Sequence, residues 1–361
     1  MTLQSSGTIK FSEIENEFGQ IAGSNNRKIG SYRVSDVVGG ITYPLDTGMP
    51  QSGAISFSDF YSKRLNILVD FYTGAAQDRV NGKTQYDAGA TEIIGPGTVG
   101  SLPNDGAGKR VIINVNKQIG SAKGASTLCA LITGNTWNTE TDAEGCKLQI
   151  DVGPEGIICG AGGDGGLGGY KHSSTGSPSL GEGFPGSDGT SAIGVQHDNT
   201  DVNVVSGGQV INGFGGGGGA PGFEYTNVTG EDHEVRGWGG GGGGGAGIPV
   251  GEGAENYSSE SASLWGQDGS FPSGGEQGGA GGEGTWTHGD QGCSGGICAG
   301  DGGRGGDQEA DASAGGPSRS DSSGPGAGGS NGAAIRRTSG LTVTITNAGT
   351  ISGATDATGI T

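Results

Sequence analysis

The residues most able to do chemistry are few and irregularly spaced. The run Asp232-His233-Glu234 has the residue types of a proton-transfer site, but such a run in an exposed loop is usually polar surface. Carboxylate pairs are abundant, so residue types alone still allow the pair of acids that a glycoside hydrolase uses. Nothing in the sequence places two carboxylates in one cleft. We therefore predict no catalytic residue and a protein that is not an enzyme.

The cysteines and histidines lack the spacing of a metal site. Cys-x4-Cys occurs once, at Cys293 and Cys298, whereas zinc sites combine paired Cys-x2–4-Cys elements or nearby histidines. The four histidines are scattered, and no Gly-Lys-Ser/Thr element marks a phosphate loop. We predict structural thiols or one disulfide, no metal and no cofactor.

Aromatic residues are the remaining candidates for binding, and many lie between glycine runs. Aromatic faces suit sugar rings and provide large contact areas. The alternative is that each one packs against the glycine-rich segments. The candidate contacts with a binding partner are Tyr170, Phe184, Tyr225, Trp238, Trp265 and Trp286.

The element that must position these aromatics is a stretch in which one residue in three is glycine. Residues 151–330 contain 60 of the 85 glycines, often at period three, as in Gly162, Gly165 and Gly168. Three residues per turn is the period of a polyproline-II-type helix, which has no internal hydrogen bonds. Collagen is excluded because prolines are few and the runs are short. We predict a bundle of polyglycine-II-type helices, with disorder as the alternative.

A strand pattern frames the glycine stretch. Apolar residues and a glycine recur at offsets 0, 2, 6 and 8 from Ile150, from Val202 and from Val343. Alternation at period two indicates strands, and the glycine at offset 6 indicates a tight turn or bulge that divides each strand into two. Earlier strands are predicted within 65–71, 91–94, 111–115, 128–133 and 148–152, without a helical period.

A different repeat occupies the N-terminal region. Gly7, Gly30 and Gly53 open three copies with a period of 23 residues, each continuing with an apolar residue, Ser, an acid and another apolar residue. Ser followed by an acid is typical of a helix start, and Ser12 with Glu15 forms a capping box. We therefore expect an extended piece and a short helix in every copy.

Such short units must pack on each other or on another protein, because each is too small to bury its own apolar side. They form either a self-contained domain or an attachment module. The apolar residues predicted to dock on a partner are Phe11, Ile14, Val34, Val37, Phe57 and Phe60.

These patterns predict a mostly β protein with a glycine-rich region, divided into three parts. Residues 1–63 form the small repeat module, 64–150 a β-rich domain that is either β-sandwich-like or a strand stack, and 151–361 a polyglycine-II-type helix bundle framed by β-strands.

The distribution of charged residues limits the kind of molecule that the chain can bind. Residues 151–330 contain 23 Asp and Glu against 4 Lys and Arg, so this stretch carries the whole net charge of −19. This argues against nucleic acid, whose phosphates need basic partners. A solvated surface, or a cation-dependent contact with another surface, fits better. No apolar run approaches the roughly 18 residues of a membrane-spanning helix, and no signal peptide is seen, so we predict no membrane insertion.

Several stretches resemble the glycine-rich tail fibre and virion structural proteins of tailed bacteriophages, especially of marine and cyanobacterial phages. They are 110–116 with 119–121, 148–152, 156–166 and 341–353. Residues 4–13 and 51–61 look like a short module of phage virion proteins. The resemblance implies multimeric fibres and offers no catalytic or binding residue.

The resemblance implies a virion protein exposed to the medium, in a tail fibre or tail tip that contributes to host-receptor recognition. It would form a homotrimer, bind other virion proteins through residues 1–63, and contact a host-surface glycan or protein. The first alternative is a purely structural fibre, baseplate or capsid-decoration protein. The second is a polysaccharide depolymerase.

Overall fold

The computed structural model describes most of the chain, with gaps. The described residues are 3–18, 29–32, 34–38, 41–44, 46, 48–63, 67–70, 86–87, 93–95, 97–99, 110–134, 147–169, 179–227, 233–254, 266–270, 285–286, 303–306, 312–315 and 325–360. Within them, strands predominate, as predicted, and α-helix is confined to one short element.

The N-terminal module combines short helices with one hairpin. Its elements are the α-helix α1 (Phe11–Phe18), two 3-10 helices (Ile29–Ser31 and Phe57–Phe60), and the strands β1 (Val34–Val38) and β2 (Ile41–Pro44).

The first and third repeat copies start their helices in the same way. The Glu13 carboxylate accepts the backbone N–H of Lys10 at 2.7 Å, and the Asp59 carboxylate accepts that of Ser56 at 2.7 Å. Both acids also lie near the positive end of a helix. The predicted capping box at Ser12 is wrong, because α1 begins at Phe11 and Ser12 therefore lies inside the helix. The acidic residue of the repeat therefore caps the start of each helix in these two copies, whereas the serine before it does not.

The second copy forms a strand where a helix was predicted. Strand β1 pairs antiparallel with β2, with Val38 opposite Ile41. Val34, Val37 and Val38 are β-branched, and the Gly39-Gly40 sequence between the strands is typical of a two-residue hairpin turn. Strand propensity and hairpin pairing therefore outweigh the Ser-acid signal.

The copies pack on one another around a small apolar cluster. Ile14 and Phe60, at equivalent repeat positions, are fully buried, and Tyr32 of the second copy packs edge-on against both Phe11 and Phe60. Backbone hydrogen bonds from Leu3 to Lys63 and from Ser62 to Gln4 join the two ends of the module. The described part of the module thus has an apolar core of its own.

Three parallel sheets form the main body. The first contains, in spatial order, β20 (Val343–Asn347), β14 (Thr200–Val204), β10 (Lys147–Val152), β7 (Arg110–Val115) and β3 (Ile67–Asp70). The second contains β21 (Thr350–Ser352), β15 (Gln209–Ile211), β11 (Ile157–Cys159) and β8 (Gln118–Ile119). The third contains β22 (Ala357–Thr358), β19 (Ile335–Arg337), β13 (Ser191–Val195), β9 (Cys129–Ile132) and β4 (Tyr86–Asp87).

The chain visits these sheets in the same order again and again, which makes the body a three-sided parallel solenoid. One rung runs through β7, β8 and β9, the next through β10, β11 and β13, and two more follow. Each rung stacks on its neighbour, as in repeat proteins generally. A separate pair, β5 (Ile93–Gly95) and β6 (Gly97–Val99), is antiparallel.

Of the two arrangements predicted for residues 64–150, the β-sandwich is therefore wrong, and the strand stack agrees with the observed parallel pairing. All five strands predicted from the sequence overlap observed ones, but β3, β7 and β10 pair in parallel with one another, and β10 continues the same sheet into β14 of the C-terminal part of the chain. A chain cut at residue 150 would divide β10. Alternation fixes which residues face the core but leaves the pairing partner open.

The solenoid core is a stack of inward-facing aliphatic side chains. In the first sheet Ile113, Ile150 and Val202 stand in register and are buried, and Ile345 continues the row in the last rung. In the second sheet the equivalent row is Ile119, Ile158, Val210 and Ile351. Within the described residues, all strands that line this core belong to the same chain.

The predicted glycine turns are confirmed, with one change of register. Gly156, Gly208 and Gly349 each lie between a strand of the first sheet and one of the second. A Cβ at Gly156 would overlap the carbonyl oxygen of Val115 in the neighbouring rung. In the last rung Ile345, and not Val343, stands opposite Val202. The turn between the two strands is two residues shorter in this rung. The predicted alignment of the third copy with the second is therefore shifted by two residues in the first strand of the copy.

Candidate functional site

Two long insertions leave the solenoid between its second and third sheets. Residues 160–190 separate β11 from β13, and residues 212–334 separate β15 from β19. Together they contain most of the glycine-rich sequence, so the solenoid acts as the base from which this region projects.

The inserted segments exchange backbone hydrogen bonds at every third residue. Gly163 donates to Phe214 at 2.8 Å, Gly166 to Gly217 at 2.8 Å, and Gly169 to Ala220 at 2.7 Å. Segment 160–169 also receives bonds from a third segment, through Gly245 and Gly242. Because this spacing equals one turn of a three-residue helix, we interpret the segments as polyglycine-II-type helices.

Segment 213–220 lies at the centre of this bundle. Among the described residues it shares hydrogen bonds with segments 160–169, 184–190, 240–246, 303–306, 313–315 and 326–332. A Cβ at Gly216 would overlap the Asp164 carbonyl oxygen, one at Gly217 that of Gly303, and one at Gly218 that of Gly326. Successive residues thus face different neighbours, which explains why the central segment is glycine on every edge.

An outer segment keeps side chains on one edge only. In 160–169 the residues between glycine pairs are Ala161, Asp164 and Leu167. Asp164 is partly exposed and Leu167 is 40% exposed, while the adjacent Gly166 and Gly168 are buried. Period-three sequence therefore marks an outer segment, and uninterrupted glycine marks an inner one.

Lys123 ties the base of the bundle to the solenoid. Its Nζ lies 2.6 Å from Asp164 Oδ1 and 3.2 Å from Glu252 Oε1, and Asp164 Oδ1 also accepts the backbone N–H of Glu252 at 2.8 Å. Burial lowers the pKa of Lys123, but hydrogen bonds and charges of the two carboxylates outweigh it, so the pKa lies above 10.5. The loop between β8 and β9 is thereby held against two glycine-rich segments.

The far end of the bundle is closed by an antiparallel sheet. Its spatial order is β12 (Ser179–Gly181), β16 (Gly222–Asn227), β17 (His233–Trp238) and β18 (Thr285–Trp286). Gly181 stands opposite Gly222, and Gly237 opposite Trp286. We call it the end sheet.

The structure brings three of the six candidate aromatics into the end sheet. Tyr225 lies opposite Val235, and Trp286 opposite Gly237, so Tyr225 and Trp286 share one face by register. Trp238 belongs to the other face, since it is the neighbour of Gly237 in β17. Phe184 lies outside the sheet, three residues after β12, and is 51% exposed. Tyr170 and Trp265 lie outside the described residues.

The candidate docking residues of the N-terminal module differ in how far their side chains are exposed to solvent. Ile14 and Phe60 are fully buried, and Phe11 is partly buried. Phe57 is 44% exposed and packs edge-on against Phe11. Val34 and Val37 lie in β1. Ile14 and Phe60 therefore serve the core of the module, and Phe57 is the residue best placed for a partner.

Groups with catalytic or metal-binding character do not converge. Among the described residues no cluster of three His, Cys, Asp or Glu side chains could hold a metal ion. His233 and Glu234 are successive residues of β17, which a strand assigns to opposite faces. Burial raises the pKa of the Cys129 thiol to about 12, and it also raises that of Cys159. Both thiols are free and buried, as expected of structural cysteines.

Comparison with known proteins decides the family. The family model of the phage tail fibre adhesin Gp38 matches residues 84–356. The chain belongs to this family. The adhesin is therefore a phage virion protein of the tail, with a role in recognising the host, and the resemblance found in the sequence is confirmed.

One solved structure with a similar chain is the crystal structure of the gp37-gp38 adhesin tip complex of the bacteriophage S16 long tail fiber. Identity is 19% over 83% of this chain and 86% of that chain, with a TM-score of 0.31. No curated protein sequence matches the adhesin. Within its described residues, no helix is long and apolar enough to span a membrane.

Leu167 is the residue that sequence reasoning missed. It is exposed beside Phe184, whose backbone N–H donates to the Leu167 carbonyl oxygen at 2.9 Å. Its signal was present in the sequence, since it follows Asp164 at period three on the edge without glycine.

Proposed function

We propose that the adhesin recognises its receptor at the far end of the glycine-rich bundle, with the solenoid as a rigid base. One observation carries the proposal: Tyr225 and Trp286, distant in sequence, share one face of the end sheet by strand register. Interfaces concentrate binding energy in a few aromatic residues, so a cluster at a projecting end suits recognition. The adhesin would act by binding, without chemical turnover of the receptor.

Phage particles carrying adhesin with Tyr225→Ala and Trp286→Ala test this proposal. We expect the rate of adsorption to host cells to fall at least about tenfold, as loss of central aromatic contacts does elsewhere. Thr344→Ala, at an exposed position of the solenoid, is the matched control. Adhesin content of the particles and thermal unfolding of the purified chain must match wild type. Normal adsorption by such particles would show that the receptor is bound elsewhere.

We further propose that residues 1–63 dock the adhesin on another tail protein, with Phe57 in the contact. A large exposed aromatic side chain on a module that already has its own core is suited to a second partner. Phe57→Ser should yield particles without adhesin, although the purified variant stays folded. Ser52→Ala, also exposed, should leave its incorporation unchanged. Normal incorporation of the Phe57→Ser variant would refute this docking role.

The homotrimer expected from the fibre resemblance stays a prediction. The three sheets of the solenoid close around their core within one chain, so a trimer would have to assemble through other surfaces. Light scattering of the purified full chain measures its mass directly. Release of reducing sugar from host envelopes would favour a depolymerase over a binding protein.

A further inference from the structure

An apolar surface crosses the side of the bundle beside the end sheet. It is formed by Leu167, Phe184, Pro185, Pro325 and Ala327, which we call the side strip. Leu167 is 40% and Phe184 51% exposed, Pro185 and Ala327 are exposed, and Pro325 is half-buried. Of the three large apolar residues that are exposed in the described chain, two belong to this strip.

Backbone hydrogen bonds hold the side strip at one level across three adjacent segments. Phe184 donates to Leu167 at 2.9 Å, and Gly186 donates to Ala327 at 2.9 Å. Segment 182–190 therefore lies between 160–169 and 325–332, and the strip is continuous across all three. Since the segments are fixed by regular bonds, the strip is rigid before any partner binds, which limits the entropy lost on binding.

The composition changes abruptly one turn nearer the solenoid. At that level the same segments carry Asp164, Ser187, Asp188 and Ser330. Ser187 donates its backbone N–H to Asp164, and the Asp188 carboxylate accepts that of Ser330. On the other side of the strip lies the exposed Glu182. An apolar centre with a polar rim is the anatomy of a protein interface.

The chemistry of the side strip favours a protein partner over a sugar. Its side chains offer no hydrogen-bonding group, and the backbone N–H groups of Phe184, Gly186 and Gly326 are bonded to neighbouring segments. Sugar hydroxyls would lose their bonds to water there without replacement. Asp164 of the rim is already paired with Lys123, so Glu182 and Asp188 are the rim acids that would attract Lys or Arg beside the apolar residues of the partner.

A second copy of the adhesin is a poor occupant. Residues 151–330 carry 23 acidic against 4 basic residues, so two copies of this region repel each other. We propose that the side strip binds a segment of a host surface protein that presents apolar side chains between basic ones. This inference rests on the proposed receptor role and adds the side of the bundle to the end sheet.

Binding of the labelled full-length adhesin to host cells tests the side strip. The double variant Leu167→Ser/Phe184→Ser should weaken the apparent Kd at least about tenfold. Thr344→Ala/Thr346→Ala, at exposed positions of the solenoid outside the strip and its rim, is the control and should bind as wild type. Glu182→Lys, which reverses a rim charge, should also weaken binding, and added salt should lower wild-type affinity.

Treatment of the cells identifies the partner. Wild-type binding should be lost after trypsin removes surface protein and kept after periodate oxidises glycans. The opposite pattern would overturn the proposal, as would a change from dimer to monomer in the Leu167→Ser/Phe184→Ser variant. Wild-type affinity in that variant would refute binding at the side strip, and the proposed receptor role would still stand. Failure of the wild-type adhesin to bind any cells would count against the receptor role itself.

Discussion

The Nζ of Lys123 lies 2.6 Å from Oδ1 of Asp164 and joins a solenoid loop to the first glycine-rich segment. Within the described residues, this ion pair links the solenoid to the glycine-rich bundle. The same Nζ also lies 3.2 Å from Oε1 of Glu252. Residues distant in sequence are thus held together where the insertions leave the solenoid.

Lys123→Met should lower the free energy of unfolding by about 0.5–1 kcal/mol, because the ion pair is partly exposed and screened. Denaturant unfolding at low and high salt measures the loss, which should shrink as salt rises. Lys117→Met, also in a solenoid loop, is the matched control. Equal stability of the two variants would contradict a role for the pair.

The same pair predicts a dependence on alkaline pH. The folded pKa of Lys123 lies above its ordinary value of 10.5, so its contribution is complete below 10.5 and is lost as pH rises through the folded pKa. The stability difference between wild type and Lys123→Met should disappear in that range. A difference that persists at higher pH would show that Lys123 acts through packing of its stem.

Gly216→Ala should destabilise the bundle by about 1–3 kcal/mol or more, because the added methyl meets backbone that cannot move aside. The clash is with the Asp164 carbonyl oxygen, in a segment fixed by its own hydrogen bonds. Thermal unfolding of the purified chain gives the change in Tm. Ser330→Ala, at an exposed position of a neighbouring segment, should behave as wild type. A wild-type Tm for Gly216→Ala would argue against tight packing at the centre.

Truncation in the stacked aliphatic row should cost more inside the solenoid than at its last rung. Ile150→Ala should cost about 2–5 kcal/mol, because the side chain is fully buried between neighbouring rungs. Ile345, in the same row, is only partly buried, so Ile345→Ala should cost clearly less. Urea unfolding of both variants checks the order. Equal costs would indicate that the last rung is covered in solution.

Asp198 fastens the last rung, since its carboxylate accepts the backbone N–H of Thr342 at 2.8 Å. Hydrogen bonds from Thr342 and Asn199 hold its pKa below the ordinary value of 3.8. The contribution is therefore present above 3.8 and is lost as pH falls through the lower, folded pKa. Asp198→Ala should speed hydrogen exchange of the Thr342 amide, leaving Ile193, in the third sheet, as protected as in wild type. Unchanged exchange at Thr342 would contradict the tether.

Much of the local structure followed from residue patterns. Alternation around Ile150 and Val202 predicted strands, and Gly156 and Gly208 predicted the turns that follow them. Period-three glycine beginning at Gly162 predicted segments that bond to each other, with the hydrogen bond from Gly166 to Gly217 as one example. These signals are local, because strand alternation and glycine spacing express the geometry of a single segment.

Other features depended on contacts that no local pattern contains. The Ser-acid repeat predicted a short helix beginning at Ser35-Asp36, but pairing of Val34–Val38 with Ile41–Pro44 made this segment a strand. Residues 64–150 contained the predicted strands, yet no local pattern showed that they pair in parallel with one another and, through β10, with β14. Leu167 became a candidate only when segment 182–190 placed Phe184 beside it.

The sequence by itself determined a β-rich, glycine-rich chain of the phage tail fibre type, with its aromatics concentrated among glycine runs. Only the tertiary structure decided that the strands stack into a three-sided solenoid and that Tyr225, Trp238 and Trp286 meet in one sheet. The reason is physical: backbone geometry restricts each segment locally, whereas the choice of partner depends on side-chain and backbone contacts between residues far apart in the chain.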